Sequence, residues 1–201
     1  MGMVSSAPYI IGVTGGIGSG KSVVSSLLRL MDVPVYDCDS EAKRLMRQSG
    51  EIREALIEVV GPEVYAPDGM LNRAYLAAYM FCDEGRVKQI NHIVHPVVRA
   101  DFRRWAQQTG RNVVAVESAI LVEAGMKADV DEVWLVHAPE DIRLRRAMSR
   151  DGSGEEAVRS RMMRQQSDAE YLKQADKVVY NDGIHSLIQQ TLGLLSRISD
   201  K

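Results

Sequence analysis

The residues best suited to chemistry lie near the start of the chain, where glycines and one lysine take the place of acid–base side chains. Residues 15–22 read G-G-I-G-S-G-K-S and match the pattern G-x-x-x-x-G-K-[ST]. Glycines let backbone N–H groups turn inward toward phosphate oxygens, and the start of a following helix adds its positive dipole end. We expect Lys21 to reach the β- and γ-phosphates and Ser22 to offer its hydroxyl to Mg²⁺. This phosphate loop predicts a nucleoside triphosphate site formed by Gly16, Ile17, Gly18, Ser19, Gly20, Lys21, Ser22 and Val23.

Two acids follow the segment that we interpret as the second strand. Asp37 and Asp39 stand two residues apart, so on an extended chain their side chains face the same way. Ligands bind at the carboxyl ends of strands in open α/β sheets, and phosphoryl transfer needs a group that accepts the proton of the acceptor hydroxyl. Asp39, nearer the next helix, is the better candidate for that base. The alternative is that an acid only caps the helix, with Asp39 or Ser40 as N-cap.

Arginines are concentrated between residues 140 and 174, where they are interleaved with acids. Arg146 and Arg150 are four residues apart, as are Arg161 and Gln165, and each pair is expected to share a helix face. Arginines on a mobile segment can stabilise the charge of a transferred phosphoryl group and exclude water. The glycines of "RDGSG" suit the tip of such a lid. The alternative is a solvated helix pair joined by surface ion pairs.

Two further segments hold candidate polar groups. "INHIVHPVVR" contains His92 and His95 without a third metal ligand nearby, so no metal is predicted there, and Pro96 is expected at the first position of a helix. Asn181 ends the last strand-like run and is a candidate for contact with the adenine base of ATP. A simple strand-ending turn remains the alternative for Asn181.

Alternating strand-like and helix-like segments must position these groups. Short, continuous apolar runs predict strands at residues 9–14, 33–37, 112–117, 132–138 and 177–181. Such runs suit a parallel sheet covered on both faces, so the fold class is a doubly wound α/β sandwich with a five-stranded parallel sheet. We expect one domain over residues 1–201. Its core comprises residues 9–39, 110–139 and 175–201, with a helical insertion at 40–109 and a helical lid at 140–174.

Composition and missing motifs exclude several classes. The chain has 201 residues and a formal net charge of −2, so no global basic field favours nucleic acid. No segment approaches the length of a membrane span. A GTPase switch would need D-x-x-G after a strand and N-K-x-D, but the D-x-x-G at Asp151–Gly154 lies in the arginine-rich region and N-K-x-D is missing. Kinases of small molecules therefore fit better than switches or motors.

Taken together and in order, these motifs resemble the dephospho-CoA kinase family of P-loop kinases. The family carries T-G-G-I-G-S-G-K-S, a D-x-D, a His-Pro in the helical insertion, an R-D-G lid with a later arginine and glutamine, and a final A-D-x-V-x-x-N-x-G. Here these are Thr14–Ser22, Asp37–Asp39, His95–Pro96, Arg150 with Arg161 and Gln165, and Ala175–Gly183. The chain departs from the family at Val23, where threonine is usual. It also has Ala119 in place of proline in the segment Glu117–Glu123.

The resemblance implies an adenylate-kinase-like architecture with a nucleotide core, a helical CoA-binding region and a lid. It implies transfer of the γ-phosphoryl of ATP to the ribose 3′-hydroxyl of dephospho-CoA, with ATP and Mg²⁺ as cofactors. Asp39 is then the general base, Lys21 and Arg150 stabilise charge, and Arg146 and Asn181 bind the nucleotide. The acceptor is contacted by Asp37, His95, Arg161 and Gln165.

The resemblance also implies a cytoplasmic protein, monomeric or weakly self-associating, with small molecules as its partners. Two alternatives stay open at the level of sequence. One is another P-loop kinase that acts on a nucleoside, nucleotide or sugar. The other is a regulatory module that binds ATP and hydrolyses it slowly.

Overall fold

A parallel β-sheet carries the phosphate loop at the end of its central strand. The computed structural model describes residues 7–81 and 83–199, and within them five parallel strands follow the order β2-β3-β1-β4-β5. Strand β1 pairs in parallel with β3 and β4, and β4 pairs in parallel with β5. The strands are β1 Tyr9–Thr14, β2 Val35–Asp37, β3 Val113–Glu117, β4 Glu132–His137 and β5 Lys177–Tyr180. The doubly wound α/β prediction is confirmed, and each strand lies within the run that predicted it.

Burial explains why continuous apolar runs predicted these strands. Consecutive residues of β1 from Ile11 to Thr14 are all buried, as are those of β4 from Glu132 to Val136. Residues of a strand alternate between the two faces of its sheet, so both faces are covered here. The core around these strands is aliphatic apart from one tryptophan and comprises Ile11, Val13, Val24, Leu28, Val33, Ala115, Trp134, Val136, Val179 and Ile198.

In the described part of the chain, nine α-helices connect and flank the strands. They are α1 Lys21–Leu30, α2 Cys38–Gln48, α3 Gly50–Val60, α4 Arg73–Met80, α5 Glu84–Gln108, α6 Glu140–Asp151, α7 Glu155–Met163, α8 Asp168–Gln174 and α9 Leu187–Ser199. Short 3-10 helices span Pro62–Val64 and Met126–Asp129.

The expectation that Pro96 begins a helix is wrong. Pro96 lies inside the 25-residue helix α5. Proline removes one i→i−4 hydrogen bond and crowds the preceding turn, so it favours a helix start without enforcing one. In α5, Ile90, Val94, Val98 and Phe102 are all buried, and they continue one apolar stripe past the proline. Packing of that stripe stabilises both halves as one helix.

Contacts between Cα atoms divide the chain into two units. The sheet unit takes the described residues of Met1–Tyr36 and Ala106–Lys201, and the helical unit takes those of Asp37–Trp105. The core and lid segments predicted above therefore fall in the sheet unit, except for the last residues of the first core segment, which begin the helical unit. The division into core, acceptor region and lid remains a prediction.

The helical unit has its own polar framework around α2 and α3. Arg44 of α2 forms ion pairs with Glu41 and, at 2.6 Å, with Asp101 of α5. The Tyr65 hydroxyl donates to the carbonyl oxygen of Met46, and the Arg53 guanidinium lies 4.3 Å from the centre of the Tyr65 ring. Burial raises the pKa of Tyr65. These contacts tie the turn-rich segment after α3 to the helices before it.

Candidate active site

The phosphate loop leaves β1 and turns sharply into α1. Gly20 is the N-cap of α1 and has a φ of 95°, a backbone conformation that residues other than glycine rarely adopt. A Cβ on Gly20 would lie 2.1 Å from Nδ2 of Asn181, and one on Gly18 would lie 2.2 Å from the carbonyl oxygen of Arg143. Both glycines are therefore required by neighbours that press against the loop.

Lys21 begins α1 and folds back over the loop. Its Nζ donates hydrogen bonds to the carbonyl oxygen of Gly15, at 2.8 Å, and to that of Gly16, at 3.3 Å. The ammonium group is thus held over the loop backbone. A cation in that position complements the negative charge of a polyphosphate. Ser22 and Val23 follow in the first turn of α1 and are both exposed.

Asn181 supports the loop from the end of β5. Its Nδ2 donates to the carbonyl oxygen of Ser19 at 2.8 Å, while Arg146 of α6 donates to both the carbonyl and the side-chain oxygen of Asn181. The structure therefore gives Asn181 a loop-supporting contact that the sequence did not predict. Its predicted contact with adenine, and that of Arg146 with the nucleotide, remain proposals.

Gln165 contacts the other side of the loop. Its Oε1 accepts a hydrogen bond of 2.7 Å from the backbone N–H of Ile17. The expectation that Arg161 and Gln165 share a helix face is wrong, because α7 ends at Met163 and Gln165 lies in the connection to α8. Leaving the helix frees the Gln165 side chain from the helical spacing and lets it reach the loop.

Arg143 is a charged residue that the sequence analysis counted among the arginines but did not single out. It is only 8% exposed, and its Nη2 donates to Oδ1 of Asp168 at 2.9 Å. A Cβ on Gly16 would lie 2.4 Å from Nη1 of Arg143, so the guanidinium packs directly against the phosphate loop. The signal was present in the spacing, since Arg143 precedes the buried residues Leu144 and Ala147 on the inward face of α6.

Arg150 of α6 and Arg161 of α7 meet at one carboxylate. Asp151 accepts hydrogen bonds from Nε and Nη2 of Arg150 and from Nη1 of Arg161. Hydrogen bonds from the two guanidinium groups, Arg150 foremost, lower the pKa of Asp151 to about 2. Within residues 7–81 and 83–199, Nη2 of Arg161 is buried without a hydrogen-bond partner. Asp151 thus brings together two arginines that sequence reasoning assigned to the site separately.

The two acids of the D-x-D segment belong to the helical unit and have different local roles. Asp37 is the N-cap of α2, where its carboxylate accepts from the backbone N–H groups of Asp39 and Ser40 and from the Ser40 hydroxyl. Asp39 is exposed in the first turn of α2. The expected extended geometry is wrong because the chain turns into the helix at Cys38. The capping alternative applies, but to Asp37 instead of Asp39 or Ser40.

His95, the remaining predicted acceptor residue, lies on α5 in the helical unit. It is partly buried, and desolvation lowers the pKa of its imidazole. A lowered pKa keeps the ring neutral at pH 7. As a neutral group it donates or accepts a hydrogen bond without adding charge.

The segment after β3 is shaped without the family's proline. The Ser118 hydroxyl oxygen accepts from the N–H of Ile120, and the Tyr171 hydroxyl donates to the carbonyl oxygen of Ala119. Burial is the main reason that the pKa of Tyr171 rises to about 12. The backbone on both sides of Ala119 is therefore held by side-chain hydrogen bonds.

The described residues contain neither a clustered set of metal ligands nor a membrane-spanning helix. Among the described residues, no group of three or more His, Cys, Asp and Glu side chains is arranged to hold a metal ion. No helix within that part of the chain is long and apolar enough to cross a bilayer.

A glycine loop at the end of a central parallel strand, a lysine over that loop and arginines from later helices define a P-loop kinase of small molecules. Comparison with known proteins gives the family. The dephospho-CoA kinase family model (CoaE) matches residues 9–186. The chain therefore belongs to the dephospho-CoA kinase family, and the predicted ATP-dependent phosphotransferase class is confirmed.

Individual relatives agree with this assignment. A dephospho-CoA kinase of Bacteroides fragilis is 42% identical over 95% of this chain and 93% of its own length, and one of Porphyromonas gingivalis is 43% identical over 95% of each. Among solved structures, the Thermus thermophilus protein TT1252 is 34% identical, covers 96% of this chain and 98% of its own, and superposes with a TM-score of 0.84. A shikimate kinase of Bacteroides thetaiotaomicron shares the fold alone, at 16% identity over 96% of this chain and 99% of its own, with a TM-score of 0.53.

Proposed function

We propose that this protein transfers the γ-phosphoryl group of ATP to the ribose 3′-hydroxyl of dephospho-CoA, the last step of coenzyme A synthesis. The observation that carries the proposal is the braced phosphate loop, with Nζ of Lys21 held over its carbonyl oxygens. Family membership supplies the acceptor, since the relatives named above are dephospho-CoA kinases.

The nucleotide lies along the phosphate loop in this proposal. The segment from Gly16 to Val23 binds its phosphates, and Arg146 and Asn181 contact the rest of the nucleotide. Other N–H groups of the segment than those of Ile17, Ser19 and Val23 face the phosphates, because these three bond to Gln165, Gly16 and Gly20. Lys21 and Arg150 stabilise the negative charge that spreads over the γ-phosphoryl group during transfer. What supports this is that the loop, Arg146 and Asn181 already form one hydrogen-bonded network in the sheet unit.

Ser22 is the residue that we propose as a ligand of Mg²⁺. Its side chain is exposed in the first turn of α1. Mg²⁺ prefers oxygen ligands and usually keeps several waters, with one or two protein ligands beside substrate phosphates, so a single hydroxyl fits its requirements. When bound, the ion neutralises charge on the β- and γ-phosphates.

We propose Asp39 as the general base. In the step, the 3′-oxygen of dephospho-CoA forms a bond to the γ-phosphorus while the bond from that phosphorus to the β,γ-bridging oxygen breaks. The hydroxyl proton passes to the Asp39 carboxylate, and ADP leaves. The N-cap bonds of Asp37 support this choice, because they already engage both of its carboxylate oxygens and leave Asp39 as the exposed acid.

The remaining predicted residues are proposed for acceptor binding. They are Asp37, His95, Arg161 and Gln165. Their chemistry suits a ligand that carries phosphate, ribose and amide groups, since it combines one cation, one carboxylate, one imidazole and one amide. We also propose a cytoplasmic protein, monomeric or weakly self-associating, with core, acceptor and lid segments as predicted from the sequence.

The test is a direct assay. Purified protein is incubated with ATP, MgCl₂ and dephospho-CoA, and CoA is identified by mass spectrometry with digestion that locates the new phosphate on the 3′ position. Stoichiometric CoA and ADP are expected. Turnover of a nucleoside, nucleotide or sugar in place of dephospho-CoA would contradict the proposed acceptor. ATP hydrolysis that no acceptor accelerates would indicate the regulatory module instead.

A further inference from the structure

The phosphate loop is bordered by a second cation that the reaction scheme above does not use. Arg143 is one of the few buried charged residues in the described part of the chain, with 8% of the whole residue exposed. Burying a guanidinium is costly unless it is paired and hydrogen-bonded. Yet Nε of Arg143 is buried without a hydrogen-bond partner in the described part of the chain, and Asp168 is the carboxylate within ion-pair distance. Burial of this guanidinium is therefore unfavourable if the only role of Arg143 is packing.

The charge of Arg143 lies next to the loop backbone. Its Nη1 occupies the space where a side chain on Gly16 would begin, and its own carbonyl oxygen fills the space beside Gly18. Gln165, which accepts a hydrogen bond from the N–H of Ile17, also lies against Gly16. The guanidinium therefore packs directly against the loop backbone, so its charge lies close to the proposed phosphate site.

Asp168 neutralises the positive charge of Arg143 only in part on the side that faces the phosphate loop. The Asp168 side chain is 41% exposed, whereas that of Arg143 is 10% exposed. Asp168 and Arg143 both line a cleft of about 600 Å³ between α6, α7 and α8, and the larger exposed fraction of Asp168 gives water freer access to its carboxylate. Solvent screens an exposed charge more strongly than a buried one, so the field of Arg143 dominates at the loop.

We propose that Arg143 is an electrostatic binding residue of the phosphate loop, and that Asp168 sets how much of its positive charge the bound phosphates experience. The inference rests on the proposed nucleotide site. It adds two residues to that site. Arg143 attracts the bound phosphates by its positive charge and packs on Gly16, and Asp168 modulates that attraction by partly neutralising Arg143. The consequence is a pair of variants whose effects on phosphate binding have opposite signs.

Removing the cation should weaken phosphate binding selectively. Arg143→Met keeps most of the side-chain volume, and it should weaken ADP binding about tenfold in low salt while adenosine binding stays within about twofold. Arg143→Lys retains the charge and should recover most of the ADP affinity. Isothermal titration calorimetry with ADP and with adenosine gives both constants without relying on turnover.

Removing the anion should do the reverse. Asp168→Asn is close in shape and leaves Arg143 uncompensated, so ADP should bind about threefold more tightly, with adenosine again unchanged. A support role without an electrostatic one predicts weaker ADP binding for both Arg143→Met and Asp168→Asn. That shared direction, or equal shifts for ADP and adenosine, would overturn the proposal.

A matched pair on the same helix controls for net charge. Arg145 and Asp141 of α6 form an ion pair at 2.8 Å with both side chains at least 70% exposed. Arg145→Met and Asp141→Asn change the net charge equally and should leave ADP affinity within about twofold. If Arg143→Met does not fold, Asp168→Asn still tests the proposal, because tighter ADP binding supports an electrostatic role and weaker ADP binding contradicts it. Wild-type protein that binds no ADP would instead contradict the nucleotide site itself.

Discussion

The side-chain amide of Asn181 donates a 2.8 Å hydrogen bond to the carbonyl oxygen of Ser19, which joins the last strand of the sheet to the phosphate loop. The two residues are 162 positions apart in the chain. The same amide group lies where a side chain on Gly20 would begin. The shape of the loop therefore depends on Asn181, a residue that lies far outside the loop in the sequence.

Replacing Asn181 by alanine should loosen the loop. We expect about a tenfold rise in the ATP dissociation constant and a loss of about 1 kcal/mol in the free energy of unfolding, because the partly buried bond that supports Ser19 is lost, together with the longer bond that Arg146 donates to the Asn181 side-chain oxygen. Calorimetry and urea denaturation measure the two effects. Gln190→Ala is the matched control, since that amide donates to the carbonyl oxygen of Tyr180 on β5. Unchanged ATP affinity in Asn181→Ala would show that the loop holds its shape unaided.

Replacing Lys21 by alanine should remove the positive charge over the loop. The kcat for CoA formation should fall by about a hundredfold or more, the size found when one electrostatic donor to a transition state is lost. The substitution also removes the hydrogen bonds from Nζ to the carbonyl oxygens of Gly15 and Gly16, so urea denaturation should be measured alongside the rate to separate a loss of chemistry from a loss of folding. Lys173→Ala on α8 loses the same charge from an exposed side chain and should keep its kcat. A near-normal kcat in Lys21→Ala would exclude Lys21 from the chemistry.

Asp39→Asn tests the general base. Asparagine cannot take the proton of the acceptor hydroxyl, so kcat should fall by about 10²–10⁴-fold while ATP affinity stays within about threefold. Steady-state rates and calorimetric ATP titration separate the two quantities. The opposite pattern, with weak ATP binding and a preserved kcat, would make Asp39 a metal or structural residue and move the base to Asp37.

Asp37→Ala tests the helix cap. Loss of the bonds to the N–H groups of Asp39 and Ser40 should lower the free energy of unfolding by about 1 kcal/mol. Asp37→Asn should restore most of that loss, because asparagine caps helices as well as aspartate does. Chemical denaturation of the three proteins measures the difference. Equal losses in both variants would mean that the charge of Asp37, and not its capping, stabilises the protein.

Asp151 should give a characteristic pH dependence of stability. Its pKa falls from 3.8 to about 2 on folding, so its carboxylate stabilises the folded protein at pH values above 4. That contribution is lost as the pH falls from about 4 to about 2, when the folded protein also takes up the proton. The stability difference between wild type and Asp151→Asn should therefore be constant at neutral pH, shrink as the pH falls below about 4 and approach zero below pH 2. A difference that does not change with pH would exclude the carboxylate as its source.

Sequence patterns predicted what local physics determines. The apolar run of β1 and the glycines of the loop each favour one local conformation. The strand, the loop and the helix that follows therefore all occur as predicted. The family resemblance rested on motifs that are each contiguous. For the same reason, family membership was accessible before the structure and is confirmed by the comparisons.

Patterns failed where long-range packing decides between two local options. Pro96 is compatible with a helix start or a helix interior, and burial along α5 selects the interior. Gln165 would share a face with Arg161 only if α7 continued past Met163. The pairing of Arg143 with Asp168, and that of Arg161 with Asp151, join residues on different helices that local spacing does not bring together.

The placement of β1 at the centre of the sheet has a consequence for biosynthesis. The phosphate loop leaves the ribosome before residues 113–117 and 132–135, with which β1 pairs, and before Gln165 and Asn181, which support the loop. A nascent chain must therefore extend past Asn181 before the loop acquires its native neighbours. Until then the segment is solvated glycine-rich chain, and the ability to hold a nucleotide emerges only after these later residues have been translated.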